Sequence, residues 1–203
     1  MKSVNIDWPL WPALILRLCL LLSLALSPSA CASIPQGPLA SAGLKNFDRV
    51  DSRLYRGAQP DENGYTRLAV MGVRTVVNLR MPGDGDPEEE RRVRAAGMDY
   101  YSLPMHGYKA PTHEQLEKVL KLIGGVSSPV FVHCRRGADR TGTVVACYRI
   151  RHDGWAVAQA LAEAESHGMS WVQFGMKHFV RHFSTQSTPL SLQQLSDCSP
   201  ESM

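Results

Sequence analysis

The stretch that most constrains the fold is the uncharged run Pro129-Val130-Phe131-Val132, followed at once by His133-Cys134-Arg135-Arg136-Gly137-Ala138-Asp139-Arg140-Thr141-Gly142. An apolar, β-branched run without charge reads as a strand buried on both faces, as at the centre of a parallel sheet. The Arg- and Gly-rich residues after it end the strand, and a helix is expected from near Arg140 to Arg151. Open α/β sheets hold ligands outside the carboxyl ends of their strands. A tight loop entering a helix there turns successive backbone N–H groups inward, and with the helix dipole they cradle a dianion. Gly137 lets the loop turn where a side chain would strain it. Arg140 can reach back over the cradle and hold two phosphate oxygens with its planar fork. The same N–H groups and positive charge favour the thiolate of Cys134, which is the nucleophilic form.

The remaining segments alternate between strand and helix. Strands are expected over 54–56, 73–79 and 100–103, besides 129–132. Helices are expected over 61–71, 87–96, 112–123, 140–151, 156–166 and 171–183. Thr112 and Gln115 form a capping-box pattern. Pro87 opens its helix beside three glutamates, which suits the positive end of a helix. Trp155, Trp171, Phe174 and Phe179 lie at helical spacings and are expected in the core. The order predicts an α/β fold, with a short, mostly parallel central sheet flanked by helices and a helical C-terminal layer.

Of 203 residues, 44% are hydrophobic and 20% charged, which excludes a mostly disordered chain. The formal charge of +3 gives little support for nucleic-acid binding. Residues 10–26 are almost wholly apolar, about the length of a signal h-region, and Ala30-Cys31-Ala32 has the small-x-small pattern of a cleavage site. Residues 1–32 are therefore expected to be a signal peptide. The alternatives are a lipoprotein, with Cys31 lipidated, and an uncleaved membrane anchor. Each places the domain outside the cytoplasm, in the periplasm or at a bacterial envelope. Residues 33–46 read as a linker, 47–183 as one domain and 184–203 as a loose tail. Setting aside Cys19 and Cys31, the odd set Cys134, Cys147 and Cys198 supplies no disulfide framework. Cys147 reads as a small core residue. The histidines show no ligand spacing with cysteines or acids, so no metal is expected.

The segment from His133 to Gly142 resembles the signature of the cysteine-dependent protein tyrosine phosphatase superfamily. That signature is Cys, five residues, Arg, then Ser or Thr, commonly with His before and Gly after. Here Cys134, Arg140 and Thr141 fit, with His133 and Gly142 at the flanks. Leu54-Tyr55-Arg56-Gly57-Ala58-Gln59-Pro60 resembles the opening of small atypical dual-specificity phosphatases. Val76-Val77-Asn78-Leu79-Arg80 resembles one of their strands. The likeness spans residues 47–183, and exported bacterial members look nearest in layout. It implies the cysteine phosphatase fold and phosphomonoester hydrolysis through a cysteinyl-phosphate, with no cofactor and no metal. Cys134 would attack phosphorus, while Arg140 and the amides of Arg135, Arg136, Gly137, Ala138 and Asp139 hold the phosphate oxygens. The Thr141 hydroxyl would help the thiolate leave, and His133 would point away and orient the loop.

The sequence departs from that family at the general acid. Ordinary members carry an aspartate on a loop some 30 to 40 residues before the cysteine. Here the corresponding loop, 104–111, has no carboxylate. Asp139 is the expected acid, as in relatives with Asp before the signature Arg, and His106 and Asp99 are the alternatives. Expected substrates are phosphorylated proteins, on tyrosine or with dual specificity. Arg135 and Arg136, joined by Lys109 and Arg80 if their loops face the site, also suit a polyanion such as an inositol phosphate or phosphoinositide. A sulfurtransferase of the rhodanese type and a non-catalytic phosphate-binding module are the competing readings.

Overall fold

The structure, a computed structural model, describes residues 43–186, with side chains through 183. The expected leader, Cys31, Cys198 and nearly all of the expected tail lie outside the described residues. Within them the strands are β1 (Asp48–Arg49), β2 (Leu54–Ala58), β3 (Thr75–Asn78), β4 (Asp99–Ser102) and β5 (Val130–Cys134). The helices are α1 (Glu62–Val70), α2 (Glu89–Ala95), α3 (His113–Gly125), α4 (Asp139–His152), α5 (Val157–Ser166) and α6 (Phe174–Gln186).

The strands form one sheet in the order β1-β2-β5-β3-β4, antiparallel only between β1 and β2. The uncharged strand β5 is therefore central. Val132 pairs with Arg56 on one side and Val77 on the other, in parallel register. Alternate residues of the strands enter two cores. Leu54, Val77, Val130 and Val132 meet apolar residues of α3, α4, α5 and α6. Tyr55, Val76 and Phe131 meet Tyr65 and Leu68 of α1 and Val93 of α2. Cover on both faces explains why β5 tolerates no charge.

Helix ends follow local chemistry. Asp61 caps α1 by accepting from the N–H groups of Asn63 and Gly64, both at 3.0 Å. Thr112 and Gln115 close the expected capping box at 3.1 and 2.9 Å. Helix α3 continues through Gly124 and Gly125 instead of stopping at Ile123. Neither glycine takes a positive φ, and the Arg53 guanidinium bonds the carbonyls of Gly124 and Val126. The C-terminal carbonyls thus have a side-chain partner and no left-handed cap is required.

Three expectations are corrected. The last helix starts at Phe174, not 171, so its inward face is Met176, Val180 and Phe183. Trp171 and Phe174 are consequently 76% and 66% exposed, and their rings meet edge to face at 6.4 Å outside the core. Strand β1 was not anticipated, because Asp48 and Arg49 are both exposed and carry no apolar alternation. Packing also begins within the expected linker: Leu44 is buried in the α1–α2 core, and the Lys45 carbonyl accepts from the Ala58 N–H at 2.8 Å.

Candidate active site

Cys134 ends the central strand and Asp139 begins α4, so residues 135–138 are the loop between them. The chain's own bonds fix which way its peptides face. The carbonyl of Arg135 accepts from the Gln59 N–H at 3.4 Å, and that of Arg136 from Asn46 Nδ2 at 2.9 Å. Arg56 Nη2 donates to the Gly137 carbonyl at 2.9 Å. A trans peptide points its N–H opposite its C=O. With three carbonyls tied outward, the N–H groups of Arg136, Gly137 and Ala138 face the other way. Gly137 has φ +69°, and a Cβ there would lie 2.4 Å from the Gly57 carbonyl carbon. Only glycine lets this loop press on the end of β2.

An open cavity of about 650 Å³ lies over the loop, lined from below by Cys134, Arg135, Arg136, Asp139 and Arg140. Met81, Asp84, His106, Gly107 and Tyr108 line it from two other loops. Cys134 is only 3% exposed, at the cavity floor. Arg140 is held by the carbonyls of Leu79 and Met105, each 3.4 Å from Nη1. Both its terminal nitrogens lie 3.3 Å from Asp84 Oδ2. The Thr141 hydroxyl is buried and bonds to no group among the described residues, Cys134 included.

The structure brings Asp139 to the cavity, with both oxygens in use. Oδ1 accepts the Ser170 N–H at 2.7 Å, and Oδ2 accepts from Arg136 Nη2 at 2.6 Å. His106 also lines the cavity, exposed, with Nδ1 accepting the Tyr108 N–H at 3.2 Å. Asp99 is a correction. It opens β4 beside Thr75, at the amino end of a parallel sheet whose cavity lies at the carboxyl end. No proton it carries can reach Cys134's substrate. Arg80 turns to Gln59 Oε1, 2.9 Å from its Nη1, and neither it nor Lys109 lines the cavity.

Behind the loop lies a buried polar layer that the sequence did not announce. His133 is fully buried and points away from the cavity, its Nε2 2.8 Å from Glu89 Oε1, at ion-pair distance but outside hydrogen-bond alignment. Glu89 also accepts from Tyr65 at 3.2 Å and from Asn78 at 2.6 Å. Burial alone would push the Glu89 carboxyl up, but His133, Gln59 and Tyr65 outweigh it and hold the group below its usual range. Arg56 is fully buried beneath the loop, and its Nε and Nη1 have no hydrogen-bond partner among the described residues. Burial lowers its guanidinium to about 10, leaving it charged at neutral pH. Cys147 is buried on α4, where burial pushes its thiol up, away from the reactive form. Asp51, His152 and Asp153 gather elsewhere, but these carboxylates already bond Tyr148 and Arg149, and none lines the cavity.

A strand-to-helix loop that gathers a thiol at a cavity floor, three inward amides and a guanidinium is what the signature in this segment requires. The family described as DSP-PTPase phosphatase fused to NAD+ kinase matches residues 39–182. The chain belongs to this family. It is thus a cysteine-dependent phosphatase of the protein-tyrosine and dual-specificity type, as the sequence resemblance implied. Similar curated proteins are the inositol diphosphatase DSP3 of Arabidopsis thaliana and the dual specificity protein phosphatase TpbA of Pseudomonas aeruginosa. DSP3 is 25% identical over 148 residues, covering 70% of this chain and 71% of that protein. TpbA is 32% identical over 124 residues, covering 61% of this chain and 55% of that protein. The crystal structure of TpbA superposes with a TM-score of 0.60 at 26% identity, over 76% of this chain and 92% of the other.

Sequence reasoning missed four groups that shape the site: Asn46, Arg56, Asp84 and Glu89. Asn46 sat in an expected linker and Asp84 in what read as a plain Pro/Gly/Asp connection. The one available signal was Arg56, inside the motif that carried the resemblance at residues 54–60.

Proposed function

We propose that this chain hydrolyses phosphomonoesters through a cysteinyl-phosphate on Cys134. The observation that carries the reading is the outward anchoring of three successive loop carbonyls above the buried thiol. The inward amides and Arg140 hold the equatorial oxygens of the phosphoryl group as it passes between oxygen and sulfur. The thiolate attacks phosphorus as the ester oxygen leaves. Water then attacks the thiophosphate and releases inorganic phosphate. The Thr141 hydroxyl, buried and free of other bonds within the described residues, would donate to the departing sulfur. Arg56 adds a buried positive charge beneath the loop, which favours anions above it.

The substrate reading is a phosphoprotein, on tyrosine or with dual specificity. Arg135 and Arg136, exposed at the cavity mouth, also favour a polyanionic phosphorylated small molecule such as an inositol phosphate. The relatives' names, a dual specificity protein phosphatase and an inositol diphosphatase, support both classes. Export rests on the apolar stretch and small-x-small site within residues 1–32. Asp139, with each oxygen already bonded, is a positioning group in this reading: it locks Arg136 and the Ser170 backbone against the loop.

Rapid-mixing hydrolysis of an aryl phosphate tests the chemistry. The expected result is a burst equal to the enzyme concentration, abolished in Cys134→Ser. A phosphate-binding module would bind the ester and release no product, and that outcome would end the hydrolase reading.

A further inference from the structure

The cavity has two carboxylates among its lining residues, Asp84 and Asp139. Asp139 is committed at both oxygens, as described above. Asp84 stands in the connection between β3 and α2, with its side chain 37% exposed. Its Oδ2 lies 3.3 Å from both terminal nitrogens of Arg140, and its Oδ1 lies 3.7 Å from Arg80 Nη2. We propose that Asp84 is the proton donor to the leaving group. This rests on the phosphomonoesterase reading and supplies the acid that the loop at 104–111 lacks.

Asp84 and the phosphate compete for a single guanidinium. Without substrate, Asp84 is the counter-ion of Arg140. A phosphate dianion seated on the loop takes that guanidinium for its own oxygens. Asp84 then faces the substrate without that counter-ion. The other charged or titratable groups lining the cavity are Arg135, Arg136, Asp139, His106 and Tyr108, with Cys134 at the floor, and Arg80 approaches from the side. Arg80 keeps the carboxylate at the wall after Arg140 has turned to phosphate. For in-line transfer the Asp84 proton must reach the ester oxygen on the side away from the Cys134 sulfur.

In the first step the S–P bond forms and the P–O ester bond breaks. The Asp84 proton moves to the ester oxygen, which leaves as a neutral alcohol or phenol. In the second step Asp84, now a carboxylate, takes a proton from water as the water oxygen bonds to phosphorus. The S–P bond breaks, and phosphate and the Cys134 thiolate are released. Each proton and electron pair is accounted for without a further reactant.

The test is a leaving-group series on the full chain, from dinitrophenyl to phenyl phosphate, across pH. Asp84→Asn is expected to lose the basic limb of the rate profile and to slow phenyl phosphate on the order of 100-fold. The loss should shrink steadily as the leaving group improves, since a good leaving group needs no proton. Asp84→Glu, which keeps the acid, should recover part of the phenyl phosphate rate and guards against a simple folding defect. Uniform slowing of all substrates, or an unaltered profile in Asp84→Asn, would overturn the assignment. No product released from any of these esters by the unaltered chain would instead overturn the hydrolase reading and this assignment with it.

Discussion

Two aspartates share one cavity, and their bonds give them different work. Asp139 neighbours Arg140 in the chain, yet its oxygens are spent on the Ser170 N–H and Arg136. Deleting it leaves a part-buried amide without its acceptor, which costs on the order of 1 kcal/mol, up to about 3. Asp139→Ala should therefore lower stability by that amount in urea unfolding. It should also slow phenyl and dinitrophenyl phosphates by the same factor, because loop geometry serves every substrate alike. A leaving-group dependence in Asp139→Ala would return the acid role to Asp139. The sequence offered Asp139 from its place beside the signature Arg and passed over Asp84, and adjacency in the chain could not say what each carboxylate bonds. That depended on Ser170 and Arg140, partners 31 and 56 positions away.

At the scale of elements, what the sequence expressed well was whatever is decided locally. The uncharged β5, the Thr112 capping box and the cysteine-to-arginine spacing are properties of neighbouring residues, and they fall where expected. The strand order, the register of Arg56 beside Val132 and the two-residue β1 are set by distant pairings. So is the shape of the anion cradle. Its peptides face inward because β2 and the segment before β1 hold their carbonyls from outside. This makes the loop depend on the β2 end as much as on its own residues. Gly137→Ala should expose that dependence. The φ of +69° and the 2.4 Å approach to the Gly57 carbonyl carbon leave no room for Cβ. Forced left-handed backbone and overpacking together cost about 2–4 kcal/mol. The expected outcome is a lower unfolding midpoint and a lost burst. An alanine variant with wild-type burst and midpoint would mean that the loop is not pressed against β2 as described.

The sheet separates two apolar cores, and on the α1–α2 face a polar group sits behind the catalytic strand. Glu89 from α2 joins Tyr65 of α1, Asn78 of β3 and His133 of β5, while Tyr100 of β4 approaches it. One carboxylate thus ties both helices of one face to the strand that carries Cys134. Burial works against its charge, but its partners win, and the folded-state value is depressed. A depressed carboxyl contributes stability that is complete above its unfolded value, about 4.3. That contribution is lost as pH falls through the folded value. Glu89→Gln should therefore be less stable than the unaltered chain near neutral pH, and the gap should narrow as the solution is acidified below about pH 4. Urea unfolding at a series of pH values reads this directly. A gap that stays constant down to the acid limit would show that Glu89 acts by shape and hydrogen bonding alone. A gap that closes would show that the charge itself couples α1 and α2 to the catalytic strand. The floor of the phosphate site would then loosen in acid before the apolar cores do.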